Sequence, residues 1–98
     1  MTVTRIQDGT ILTLIPNGRI DTITAPAFEH ETENLSGITE LILDFSNVAY
    51  ISSAGLRVIV KSQKCMLRQG EMRLRNVREE VMEILAVTGM ADILTIES

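Results

Sequence analysis

The chain has 98 residues, 45% of them apolar but only three aromatic (Phe28, Phe45 and Tyr50), so one small core must be built from Ile, Leu, Val and Met. A formal charge of −4 argues against electrostatic nucleic-acid binding. One Cys and one His exclude an internal disulfide and a Cys/His metal site.

No apolar run approaches the roughly 18 residues that a membrane-spanning helix needs, and the N-terminus lacks the basic-then-apolar form of a signal peptide. The expectation is a single cytoplasmic domain, residues 1–98, with protein partners. Val3 to Gln7 reads as a first strand, and Asp8-Gly9 as a hairpin signal, because both residues tolerate positive φ. Thr10 to Ile15 pairs back. Pro16-Asn17-Gly18 is expected to break this strand before Arg19-Ile20-Asp21 resumes in extended form. Thr24 caps a helix with Pro26 in its first turn, and Ser36-Gly37 ends it, with Phe28 and Leu35 facing the core.

Glu40 to Phe45 has the continuous apolar centre of a strand buried on both faces. After a loop, Leu56, Ile59, Val60, Gln63, Met66 and Leu67 form the stripe of an amphipathic helix ended by Gly70, with Cys65 as a small core residue. Glu71 to Arg75 alternates as a strand. Asn76 with Glu79 suggests an N-cap box for a third helix, faced by Val77, Val81, Ile84, Leu85 and Thr88 and capped by Gly89. Ile93 to Ile96 is a short last strand or an extended tail. Alternating strands and helices predict an α/β fold: a single-layer mixed sheet of four to five strands with helices packed mainly on one face.

The chemistry concentrates where Ser52-Ser53 precede Ala54-Gly55-Leu56-Arg57 at a helix start. Unpaired N–H groups and the positive end of the helix dipole favour an anion there. On geometry alone Ser52 or Ser53 reads as a simple N-cap, with an anion site there only possible. Leu43-Asp44-Phe45-Ser46, Val48 and Tyr50-Ile51-Ser52-Ser53-Ala54-Gly55-Leu56-Arg57 resemble the signature of STAS domains, and most of all the free-standing bacterial anti-sigma factor antagonists. Gly18-Arg19-Ile20-Asp21 and Thr88-Gly89-Met90 resemble two further segments of that family.

The resemblance implies that Ser53, two residues before Gly55, is the phosphoacceptor, with Ser52 a lesser alternative in a position where many members carry aspartate. It implies a partner surface of Asp21, Ser52, Ser53, Gly55 and Arg57, with Asp44 bracing the loop. It also implies partners: an anti-sigma factor that is a serine kinase, and a PP2C-type phosphatase, with a sigma factor affected only indirectly. The competing reading within the family is a scaffold or transporter-associated module that is not phosphorylated.

No enzymatic activity, cofactor or metal is expected. The lone His30 lies among glutamates as an exposed helix residue, so Ser53 lacks the base that a nucleophile requires. A Gly-rich phosphate loop is absent. Arg68, Arg73, Arg75 and Arg78 are diluted by acidic neighbours.

Overall fold

The computed structural model describes residues 1–97. Strand β1 (Thr2–Asp8) folds back on β2 (Ile11–Ile20) as an antiparallel hairpin. Asp8 pairs with Ile11, so the two-residue turn is Gly9-Thr10, one residue later than expected, with Gly9 at φ +62°. Helix α1 (Ala25–Thr32) follows, then β3 (Glu40–Asp44), β4 (Val48–Ile51), α2 (Ser53–Met66), β5 (Glu71–Arg75) and α3 (Glu79–Val87). A 3-10 turn, Met90–Asp92, precedes a tail that joins the sheet through one parallel bridge between Ile96 and Leu74.

The sheet runs β1-β2-β3-β5, with β4 attached to the far end of β2. Every pairing except β1 with β2 is parallel. β3 is central, and Leu41, Ile42, Leu43 and Asp44 are all buried, as a strand covered on both faces requires. Phe28 from α1, Ile59 and Met66 from α2, and Val81 and Leu85 from α3 join Leu12, Leu14, Leu41, Leu43 and Leu74 in one core. The Phe28 and Phe45 rings meet edge-on, centroids 6.3 Å apart. The opposite face of the sheet keeps Ile6 and Ile11 exposed and carries the Arg73 ion pairs to Glu40 and Glu97.

Several expectations are corrected. Pro16-Asn17-Gly18 does not break β2. Pro16 still pairs with Val3; the strand parts from β3 after Leu14, pairs with β4 from Gly18 (φ +106°) onward, and shifts register between Gly18 and Arg19. β4 itself was expected to be loop. α1 stops at Thr32 rather than Ser36-Gly37, because Asn34 Oδ1 accepts from the Ser36 N–H and turns the chain; Leu35 is buried from this turn. Phe45 lies just past β3, its N–H bonded to the Arg75 carbonyl.

The buried face of α2 is Gly55, Val58, Ile59, Ser62 and Met66. This face is rotated from the expected stripe, which leaves Leu67 71% exposed and Cys65 on the surface rather than in the core. Burial of Ser62 is possible because its hydroxyl donates to the Val58 carbonyl at 2.9 Å. Asn76 is no N-cap: it adopts φ +56°, and Arg78 occupies the cap position of α3. Gly89 does cap α3, at φ +79°.

Candidate functional site

The far end of β2 builds the site. Ile20 pairs with Ile51, and the Ser52 N–H donates to the Ile20 carbonyl at 2.8 Å. Asp21, next after Ile20, is thereby brought beside Ser52 at the start of α2. Ser52 is the N-cap: its backbone is extended (φ −92°, ψ 175°), its carbonyl accepts from the Leu56 N–H, and its hydroxyl accepts weakly from the Gly55 N–H at 3.5 Å. Ser53 is the first helical residue. Its side chain is exposed and has no hydrogen bond among the described residues, and no acidic residue occupies the first turn of α2. The two serines are thus distinguished: one is engaged in capping, the other presents a free hydroxyl at the positive end of a 14-residue helix.

Gly55 is buried, and a Cβ there would come within 2.7 Å of Ile20 Cγ2 and Ile51 Cγ1. The groups that press on it are side chains, not backbone. Its absent side chain lets the helix start settle onto the ends of β2 and β4. Arg57, one turn on from Ser53, is exposed and makes no hydrogen bond or ion pair among the described residues. Between the helix starts runs a groove with Thr22, Ala25 and Pro26 on one wall and Ala54, Arg57 and Val58 on the other.

Asp21 is tied into its own loop. Its Oδ1 accepts from the Ile23 and Thr24 N–H groups, both at 3.0 Å, in an Asx-type turn. The Thr24 N–H is the main influence holding its carboxyl below the ordinary carboxylate range; partial burial opposes this, and the Thr24 hydroxyl, the Ile23 N–H and the Arg19 charge add to it. Thr24 occupies the N-cap position of α1 but caps nothing: its hydroxyl donates to the Arg19 carbonyl at 2.7 Å and accepts from the Asp21 N–H at 2.8 Å. Sequence reasoning missed this loop's exposed Ile23, although an Asp followed by Thr three residues later was a legible signal for the turn. It also missed Arg19 stacked over Tyr50, 4.4 Å from the ring centroid.

Asp44 braces the loop at its beginning rather than at the serines. One carboxylate oxygen accepts from the Ser46 N–H at 3.0 Å, the other from Arg75 Nε at 3.1 Å and Asn76 Nδ2 at 3.2 Å. Burial is the largest single influence on this group and opposes its charge, but these donors together outweigh it and lower the pKa. A depressed carboxylate contributes stability that is complete above its unfolded pKa of about 3.9 and is lost as pH falls through the lower folded value. Asp44→Asn is therefore expected to lose about 2 kcal/mol at neutral pH. Urea titrations from pH 7 down to pH 3 check this: the gap to wild type should close on the acid side.

His30 is exposed on α1, 3.9 Å from Glu31, and has no hydrogen bond to either serine. Among the described residues no group of three His, Cys, Asp or Glu side chains could hold a metal ion, and no helix is long and apolar enough to cross a membrane.

Comparison with known proteins agrees with this architecture. The family model described as "STAS domain" matches residues 2–98. The anti-sigma-B factor antagonist of Bacillus subtilis (strain 168) is 30% identical over 83 residues, 83% of this chain and 76% of the relative. That of Listeria monocytogenes serovar 1/2a is 31% identical over 84 residues, 83% of this chain and 74% of the relative. A Thermotoga maritima crystal structure assigned as an anti-sigma factor antagonist superposes with a TM-score of 0.89 at 24% identity, covering 98% of this chain and 86% of that one. With matching sequence, mixed sheet and helix order in agreement, the chain belongs to the STAS domain family.

Proposed function

We propose that this chain is an anti-sigma factor antagonist, a regulatory binding protein of the cytoplasm whose partner affinity is switched by phosphorylation of Ser53. The observation that carries this reading is the exposed, unengaged Ser53 hydroxyl at the N-terminus of α2, beside the Asp21 loop and one turn from an unpaired Arg57. Unmodified, the domain binds an anti-sigma factor through Asp21, Ser52, Ser53 and Arg57, with Gly55 supporting that surface from below and Asp44 holding the start of the loop that leads to it. The sigma factor is released without touching this chain.

The anti-sigma factor is itself the kinase. The Ser53 oxygen attacks the γ-phosphorus of ATP, the bond to ADP breaks, and the hydroxyl proton passes to a base of the kinase. A phosphate of about −1.5 to −2 charges then occupies the contact surface and offers Arg57, at i+4, a partner within the same helix. Both effects favour release. A PP2C-type phosphatase hydrolyses the ester and restores the binding form.

The test is to incubate the purified chain with the anti-sigma factor kinase encoded in the same genome and Mg-ATP. The expected result is a mass gain of one phosphate, mapped by fragmentation to Ser53, and loss of the complex on gel filtration. A complex that persists with no phosphate gained would favour the unmodified scaffold instead.

A further inference from the structure

Most large apolar side chains of this domain are buried, but Ile23 is 89% exposed, the highest value among them. Single exposed hydrophobic residues are ordinary on protein surfaces. Ile23 differs in how it is held and where. Its own N–H is fixed to Asp21 Oδ1, the following N–H goes to the same oxygen, and Thr24 ties the loop back to Arg19 and Asp21. A β-branched side chain on so constrained a backbone has little rotamer freedom left to lose on binding. In sequence Ile23 lies between Thr22 and Ala25, which with Glu29 line one wall of the groove; Ala54 and Arg57, which follow Ser53 on α2, line the other, and Glu29 is paired with Lys61.

We infer that Ile23 is the apolar anchor of the partner-binding surface, and that Asp21 is a positioning residue which presents it. The occupant is the anti-sigma factor, which must offer an apolar socket for Ile23 bordered by a carboxylate for the unpaired Arg57. This rests on the proposed function above and extends it. The surface then has two parts of different kind. The Ile23 anchor is untouched by phosphorylation, whereas the Arg57 contact is the part that a phosphate on Ser53 takes away.

The probe is the anti-sigma factor kinase that phosphorylates the wild-type chain, titrated by calorimetry without ATP. Ile23→Ser should weaken binding at least about tenfold with an unchanged melting temperature, and Ile23→Val should restore most of the affinity. Val87→Ser, which alters a residue 87% exposed on α3, should bind as wild type. Asp21→Asn, which keeps the Oδ1 acceptor, should bind more tightly than Asp21→Ala, which loses it. Wild-type affinity in Ile23→Ser, or an equal loss in Val87→Ser, would overturn this inference alone. Absence of binding by the wild-type chain would overturn the antagonist reading and this inference with it.

Discussion

Ser53→Asp is expected to weaken binding to the anti-sigma factor by about a hundredfold, a loss of about 3 kcal/mol, while Ser53→Ala binds as wild type and cannot be phosphorylated. An interface that closes over Ser53 must desolvate whatever charge stands there, and a buried carboxylate without a partner is costly. The folded domain meets the opposite situation. A carboxylate in the first turn of α2 faces free N–H groups and the positive end of the helix, where it stabilises by about 0.5 kcal/mol. The substitution should thus leave the melting temperature unchanged or slightly raised. Binding isotherms and thermal melts on the same three proteins check both parts. Equal affinities in wild type, Ala and Asp would sink the switch; a lowered melting temperature in the Asp form would sink the helix-terminus account of why this position accommodates a phosphate.

The second large effect concerns the fold. Gly70, between α2 and β5, has its N–H bonded to the Met66 carbonyl at 2.7 Å, and a Cβ there would fall within the van der Waals shell of the Thr39 carbonyl oxygen. The obstacle is backbone, which cannot rotate away as a side chain can. It is also fixed in place: Glu71 N–H donates to this same Thr39 oxygen at 3.0 Å, and the Thr39 N–H donates to Thr10 at 2.9 Å. Gly70→Ala must therefore break the entry of β5 into the sheet or displace the residues that lead into β3. A cost of about 3 kcal/mol is expected, a large share of the roughly 5–15 kcal/mol available to such a domain. Urea denaturation followed by circular dichroism measures it, and a midpoint shift equivalent to less than about 1 kcal/mol would contradict the close approach.

How much of this could be read in advance depends on whether a residue's partner is local. The hairpin, β3, β5 and the two longer helices announce themselves through turn residues, apolar runs and helical spacing. β4 does not, because Val48-Ala49-Tyr50-Ile51 is short and runs into Ser52 with no turn residue between. Its pairing with β2 brings Asp21 beside Ser52, so the juxtaposition at the heart of the site depended on a long-range ladder with no sequence signal. Only the family resemblance suggested it. The face of α2 was misjudged because residue type alone favours Leu56, Val60 and Leu67 over Gly55 and Ser62. Gly55 is buried by the close approach of Ile20 and Ile51, and Ser62 by a hydrogen bond to its own helix, neither of which hydropathy records. Asn76 looked like a cap because its side chain suits one; that side chain is spent instead on Asp44, across the sheet.

The exposure of Cys65 has a practical use. It is the single thiol of the chain, and it lies in the last turn of the same helix that begins with Ser53, about 18 Å away along the axis. A fluorophore attached there rides on the rigid element that presents Ser53, yet stays clear of the groove. The native sequence therefore supports site-selective labelling without any engineered cysteine. Association of the domain with an anti-sigma factor becomes observable by energy transfer in real time, one molecule at a time.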